Sequence, residues 1–281
     1  MNSIKIKCPA KINLTLEIVN KREDGFHNIK SIMQLISLYD FLTISVAEAK
    51  NTEIVLTGNT NEILYNEKNL VYKAADLFFQ KTGIKAKIGV YIEKNIPVAA
   101  GLAGGSTDAA GTLYGLNKIF NEPLKENELH ELCATLGSDL NVCLKGGCLL
   151  ATSRGEKIEI LPVISMPVAL IKPKKLGISA KEAYTKYALK EFKPKYDYTE
   201  KMINALKSNQ DIKPFLYNDL EYAVFDDYKE LQQIKSALPN SIMSGSGSTY
   251  FVLDNISNEF DENFQVINNL KFISEGVTQT D

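Results

Sequence analysis

The run Pro97-Val98-Ala99-Ala100-Gly101-Leu102-Ala103-Gly104-Gly105-Ser106-Thr107-Asp108-Ala109-Ala110 constrains the fold more than any other part of the sequence. It follows Ile88, Val90 and Ile92, which alternate through residues 87–93 and read as a half-buried strand. It opens a helical pattern that continues from about Ser106 to Phe120. A strand that turns through small residues into a helix lets the backbone approach a ligand closely and adopt unusual dihedrals. The N–H groups of the first helical turn, together with the macrodipole, favour a bound anion. Ser106 and Thr107 add hydroxyl donors, able also to face a metal carried by phosphate. The run has no Walker-type Gly-x-x-x-x-Gly-Lys-Ser/Thr and no dinucleotide-type Gly-x-Gly-x-x-Gly. The plainer alternative is a glycine turn in which Ser106 only caps the helix.

The remaining pattern mixes short strands and helices. Ile12, Leu14, Leu16 and Ile18 alternate with Lys11, Asn13, Thr15 and Glu17 over residues 11–19, a strand period. Helical spacing marks residues 69–82, closed by Gly83, and about Lys125 to Leu136, closed by Gly137. Gly146-Gly147 to Ile160 predicts a strand pair, Val168–Ile171 another strand, and residues 249–253 a short one after a glycine turn. Ser179 with Glu182 is a capping-box signature for a helix start, and further helices are expected near 198–207 and 228–237. The mixture implies an α+β fold rather than a doubly wound α/β one. A boundary near 161 divides it into domains 1–161 and 162–281.

Bulk properties narrow the function. A length of 281 residues buries a sizeable core without staples. A net charge of −2 gives no basic field, so nucleic-acid binding is not expected. The N-terminal residues alternate without an apolar run, and no stretch is long enough to span a bilayer. Cys8, Cys133, Cys143 and Cys148 form no Cys-x-x-Cys pair, and no histidine stands near them at metal-ligand spacing. A cytoplasmic protein with reduced thiols and no metal site of its own is expected.

Four further segments carry chemistry. In Pro9-Ala10-Lys11-Ile12-Asn13-Leu14, Lys11 and Asn13 share the strand face opposite the core row. That face is either solvated or holds a carboxylate and a substrate oxygen. Asp24-Gly25-Phe26-His27 is a hairpin-turn signal able to present a ring and an imidazole to a cleft. Asp139, in Gly137-Ser138-Asp139, is either a turn residue or an acceptor for a hydroxyl proton. Met243-Ser244-Gly245-Ser246-Gly247-Ser248-Thr249 is a second glycine loop, either a plain turn or a phosphate-handling one. His130 sits in an ordinary amphipathic helix and is expected to be inert.

In this order the segments resemble the GHMP kinases, named for galactokinase, homoserine kinase, mevalonate kinase and phosphomevalonate kinase. The matching segments run from residue 9 to residue 253. The resemblance implies a two-domain fold, an N-terminal ATP-binding domain and a C-terminal ferredoxin-like domain, with the active site in the cleft between them. It implies that residues Pro97 to Thr107 hold the phosphates of ATP, carried with Mg²⁺, and that Asn69 and Lys94 approach the nucleotide. It assigns Asp139 as catalytic base, Lys11 as catalytic lysine and Asn13 to substrate positioning. Asp-Gly-Phe-His narrows it to the branch acting on a cytidine-diphosphate-linked methylerythritol in isoprenoid-precursor synthesis. There Phe26, His27 and Tyr184 receive the cytosine, and the loop of Ser244, Gly245 and Ser246 receives the diphosphate. A monomer or weak homodimer is expected. After Asp139 the chain reads Leu140-Asn141-Val142-Cys143 where relatives usually carry Val-Pro-Phe-Phe, and alanines replace common glycines at 99, 100 and 103. The rival readings are another kinase of the superfamily, acting on homoserine or mevalonate, and a silent nucleotide-binding regulator.

Overall fold

The computed structural model describes residues 2–190 and 197–280, which form eight α-helices and twelve strands in two sheets. Strands β1 (Asn2–Lys21) and β2 (His27–Glu48) are the long antiparallel arms of one hairpin. Its turn is closed by the Arg22 N–H donating to the Phe26 carbonyl at 2.8 Å, with Gly25 at φ +85°, a conformation glycine adopts without penalty. Strand β3 (Glu53–Gly58), helix α1 (Leu70–Thr82), strand β4 (Ala86–Glu93) and helix α2 (Gly104–Ile119) follow. Then come α3 (Glu126–Leu136), α4 (Leu140–Lys145), β5 (Cys148–Ser153) and β6 (Lys157–Leu161). The first sheet runs β1-β2-β4-β3, with β5 and β6 continuing from the far end of β2.

Beyond residue 161 lie β7 (Pro167–Pro173), α5 (Ala180–Leu189), α6 (Tyr198–Lys207), β8 (Tyr217–Asn218), α7 (Asp219–Val224) and α8 (Lys229–Ala237). Strands β9 (Ile242–Met243), β10 (Tyr250–Val252), β11 (Phe264–Lys271) and β12 (Thr278–Gln279) complete the chain. The second sheet is ordered β11-β7-β10-β9. Two pieces of this half return to the first sheet: β8 pairs with β1 in parallel, and β12 pairs with β1 antiparallel.

Local chemistry explains the helix that matters most. Helix α2 packs on the β1–β2 hairpin so closely that a Cβ on Gly111 would lie 2.4 Å from the Cys8 sulfur. Its other inward residues, Leu113 and Leu116, join Ile6, Leu42, Ile44, Phe78 and Val90 in one apolar cluster. Helix α1 starts and stops as its sequence predicts. The Asn69 side chain accepts the Val71 N–H, and Gly83, at φ +70°, donates to the Phe79 carbonyl. At α5 the capping box is half made: Ser179 accepts from the Glu182 N–H, but the Glu182 carboxylate turns to Tyr228 and Lys186.

The middle of β1 departs from a one-sided strand. Ile12 and Leu14 face a core shared with Val168, Leu170 and Phe251 of the second sheet. Lys11, Asn13 and Thr15 on the other face are buried too. The polar row is therefore not a solvated strand face. It lies beneath other parts of the chain, and every polar atom there needs a partner.

Candidate active site

Lys11 is the hub. Its ammonium donates to Asn13 Oδ1 at 2.7 Å and to the Gly101 carbonyl at 2.9 Å, and lies 3.5 Å from Asp139 Oδ2. Asn13 in turn donates to the Ser31 hydroxyl at 2.8 Å, and Ser31 to the Thr15 carbonyl. A buried lysine with fixed acceptors has little freedom to move its charge. Asp139 precedes α4 but makes no side-chain capping bond, and its side chain is 28 % exposed. Its carboxylate is thus not consumed as a helix cap. It faces the cleft beside the ammonium.

Two cavities converge there. One, of about 470 Å³, is lined by Ile63, Leu64, Lys68, Asn69, Leu70, Lys94, residues 97–106 and Asp108. The other, of about 700 Å³, holds Lys11, Asn13, Phe26, His27, Asp139, Tyr184, Gly245 and Ser246. Gly101, Ala103 and Ser106 line both, so the cavities meet at the start of α2. The residue before that helix is Ala103, which supplies no side-chain cap, so Ser106 is not its cap either. The first intrahelical bond is from the Thr107 N–H to the Ala103 carbonyl. The N–H groups of residues 104–106 therefore have no partner within the helix, which suits an anion.

The methyl groups at 99 and 103 do not prevent the loop from turning. Ala99 and Ala103 both take left-handed conformations, φ +50° and +60°, at a cost of about 1 kcal/mol each. Gly101 leaves no such choice, because a Cβ there would lie 2.0 Å from the Ser244 carbonyl oxygen. The second glycine loop packs on the first at that point. Ser244 donates to the Gly101 carbonyl at 3.0 Å, and a Cβ on Gly245 would come 3.1 Å from the Lys11 ammonium.

Four side chains differ from the sequence expectation. Thr107 is fully buried, its N–H belongs to the helix and it lines neither of the two cavities. The Ser244 hydroxyl is buried and committed to Gly101, so the cavity is faced by Gly245 and Ser246 instead. Lys94 borders the first cavity, but its ammonium is bound to Asp40 and lies 2.9 Å from Asp108 Oδ2. Asn69 likewise uses its side chain on Val71 and on the Leu64 carbonyl.

At the far end of the larger cavity the rings are in contact with one another. His27 and Tyr184 stack at 5.0 Å between centroids and 15° between planes. Phe26 is 53 % exposed, and the Arg154 guanidinium lies 5.2 Å over its face. Burial pushes the Tyr184 phenol up, helped by the Asp139 and Asp219 carboxylates, so the ring stays neutral. The lining carries Lys11, Lys21, Arg154 and Lys181 against one acid, Asp139. Sequence reading passed over Arg154. It occupies the β5–β6 turn, Ser153-Arg154-Gly155-Glu156, in a hairpin that Gly146-Gly147 announces. The role of Asn141, named in the sequence reading only as a departure from relatives, is visible here: its Oδ1 accepts from His130 Nδ1 (2.9 Å) and its Nδ2 donates to the Glu156 carbonyl (3.0 Å). A polar residue where relatives usually carry proline is thereby accounted for, and His130 has a structural task.

Residues 69–147 match the family described as GHMP kinases N terminal domain. The chain is 39 % identical over 256 residues to the 4-diphosphocytidyl-2-C-methyl-D-erythritol kinase of Caldicellulosiruptor bescii, covering 88 % of each chain. The chain belongs to that kinase family. A crystal structure of 4-(cytidine 5'-diphospho)-2C-methyl-D-erythritol kinase superposes with a TM-score of 0.76 at 26 % identity, covering 96 % of this chain and all of that one. The homoserine kinase of Cytophaga hutchinsonii also gives a TM-score of 0.76, at 16 % identity over 100 % of this chain and 98 % of that one. The latter likeness shows the shared GHMP fold. The α+β expectation holds in the two sheets, the first mixed and the second antiparallel, and in their helices. Among the described residues no helix is long and apolar enough to cross a membrane.

Proposed function

We infer that this chain transfers the γ-phosphoryl group of ATP to the 2-hydroxyl of 4-diphosphocytidyl-2-C-methyl-D-erythritol, giving the 2-phosphate and ADP. The observation that carries this reading is the meeting of the two cavities at Gly101, Ala103 and Ser106, within reach of Lys11 and Asp139. ATP occupies the smaller cavity with its phosphates against the N–H groups of residues 104–106. The cytidylyl substrate lies in the larger one with its alcohol toward Asp139.

Catalysis here is mostly positioning and charge stabilisation. Asp139 accepts the hydroxyl proton as the substrate oxygen bonds to the γ-phosphorus. The bond from that phosphorus to the β–γ bridging oxygen breaks, and ADP leaves with its electron pair. Lys11 sits beside the carboxylate and stabilises the charge that develops on the transferred group. Asn13 fixes the ammonium and offers its amide to a substrate oxygen. The described residues hold no group of three or more histidine, cysteine or acidic side chains able to bind a metal. Mg²⁺ would be carried by the ATP phosphates and would neutralise part of their charge.

The cytosine stacks in the region of Phe26, His27 and Tyr184. Lys21, Arg154 and Lys181 supply positive charge for the diphosphate, and Gly245 and Ser246 its N–H groups. A homoserine or mevalonate kinase has no use for this aromatic and cationic end. The deciding experiment measures ADP release by the purified protein with Mg²⁺-ATP and each of three acceptors: the cytidylyl substrate, homoserine and mevalonate. Turnover of the first alone is expected. Turnover of either control would overturn the substrate assignment, and ATP binding without turnover would favour a regulator.

A further inference from the structure

Asp40 is fully buried, touches neither Lys11 nor Asp139, and has no part in the chemistry above. It sits on β2 opposite Cys8 of β1, next to the point where the pairing slips between Pro9–Tyr39 and Ala10–Ile36. Its Oδ1 accepts two consecutive backbone N–H groups, from Asn95 at 2.6 Å and from Ile96 at 2.7 Å. Its Oδ2 is bound to the Lys94 ammonium, which also lies 2.9 Å from Asp108 Oδ2 on α2. A Cβ on Gly104 would stand 2.7 Å from that ammonium, so Lys94 lies directly beneath the first residue of the helix. Asn95 further donates to the Tyr39 carbonyl, and Lys94 exchanges bonds with Asn59.

We propose that Asp40 is the positioning residue of the phosphate loop, fixing where the loop begins through two N–H groups and where it ends through Lys94. The reason is mechanical. Residues 97–103 contain the left-handed Ala99, Gly101 and Ala103, and such a segment keeps its shape only if both ends are held. One carboxylate holds both: Asn95 and Ile96 on the approach, and Gly104 and Asp108 on the exit by way of the ammonium. The three N–H groups that face the anion are thus referred to the rigid β1–β2 hairpin rather than to the loop itself. A buried ion triad is poor evidence of stability, since apolar replacements often do as well. Its retention under an anion site suits a task of geometry. Burial opposes the charge on Lys94, and the two carboxylates overcome this and raise its pKa above the ordinary value.

The inference rests on reading residues 97–106 as the ATP site, and the experiment separates the two. Asp40→Asn is nearly isosteric, keeps an acceptor for one or both N–H groups and loses the hold on Lys94. Asp108→Asn removes the other partner of Lys94 without touching the start of the loop. Steady-state kinetics with both substrates, and the rise in melting temperature given by saturating ADP, are measured for each variant and for the parent. For Asp40→Asn we expect KM for ATP to rise at least tenfold, KM for the cytidylyl substrate to stay within twofold, and most of the ADP-induced melting shift to vanish. Asp108→Asn, which loosens the exit and leaves the approach and the Asp40–Lys94 pair in place, should raise KM for ATP by clearly less than Asp40→Asn does.

Equal rises in both KM values, or a lower melting temperature with an unchanged ADP shift, would reduce Asp40 to a stability residue and overturn the proposal. An effect of Asp108→Asn as large as that of Asp40→Asn would place the effect in the charge on Lys94 and overturn it as well. Absence of any ADP shift in the parent protein would instead refute the ATP-site reading beneath it.

Discussion

The proposed nucleotide end and the proposed cytidine end of the cleft are built on opposite principles. At the nucleotide end the ligand-facing groups are backbone N–H donors, and what holds them is buried: Asp40 and Asp108 with Lys94 below, Ser244 on Gly101 beside. At the cytidine end the ligand-facing groups are long side chains, and what holds them is half in water. Arg22 pairs with Asp24 and donates to Asn28 and to the Ser153 hydroxyl at 3.1 Å, from a site about one third exposed. Solvated ion pairs of this kind contribute little rigidity. Triphosphate is the same in every nucleotide and tolerates a fixed cradle. A flat base on a flexible diphosphate is better met by rings and guanidinium groups that adjust.

That contrast fails or sharpens under mutation. The largest effect belongs to the junction common to both ends. Asp139→Asn should lower kcat by about 10²–10⁴ while calorimetric binding of ADP and of the cytidylyl substrate stays within threefold. A loss under tenfold would remove Asp139 from proton transfer. Next, Phe26→Ala should raise KM for the cytidylyl substrate by about 10- to 100-fold, from a stacking contribution of about 1–3 kcal/mol, with KM for ATP within twofold. Parallel rises would show that the two ends are not mechanically separate.

A smaller effect is expected behind the site. Asn141 joins α3 to the Arg154 turn, and a Cβ on Gly155 of that turn would meet the Ser138 Cβ at 3.1 Å. Asn141→Ala should cost about 1–3 kcal/mol in chemical denaturation and raise KM for the cytidylyl substrate about threefold. An unchanged denaturation midpoint would mean that water replaces the amide. The smallest effect concerns pH. Burial pushes the Asp108 carboxyl up to about 7, with Lys94 pulling down and Asp40 pushing up. A carboxyl whose folded pKa is raised favours the folded state below its unfolded value near 4, and that advantage is lost as pH rises through about 7. The melting temperature of the parent protein should therefore fall from pH 5 to pH 8 more than that of Asp108→Asn. Identical pH profiles would show that Asp108 stays ionised throughout.

Much of this was legible in the residues. The helices at 70–82, 104–119 and 126–136 follow from periodicity with stops at Gly83 and Gly137, and the Asp24-Gly25 turn from its dipeptide. The small-residue run names its own location because few other arrangements lead a strand through glycine and alanine into a helix. Burial of Lys11 and Asn13 was not legible, since period two separates the faces of a strand but cannot say that both are covered. The burial of Thr107 and the commitment of Ser244 were hidden for the same reason: a hydroxyl in a glycine loop looks free until the parts of the chain that cover it or, for Ser244, accept from it are placed. Asp40 left no trace, because it stands in an ordinary strand and its partners lie 54 to 56 residues away. Arg154 and Asn141 stand outside the motifs and act through contacts that only the folded turns create.

The stack of His27 on Tyr184 has a consequence for how the pyrimidine is weighed. At 5.0 Å the two rings are already in mutual contact and leave no slot between them. A base that inserted between them, on the proposed reading, would have to part them, so its stacking would be an exchange in which one aromatic partner is surrendered for another. The affinity would then be a small difference between two similar contacts, and selectivity would come from the edge of the base rather than from its face. Opening the pair also sets a toll on association that is independent of ligand concentration. A poor mimic that stacks well but reads badly at its edge would wait outside a closed door.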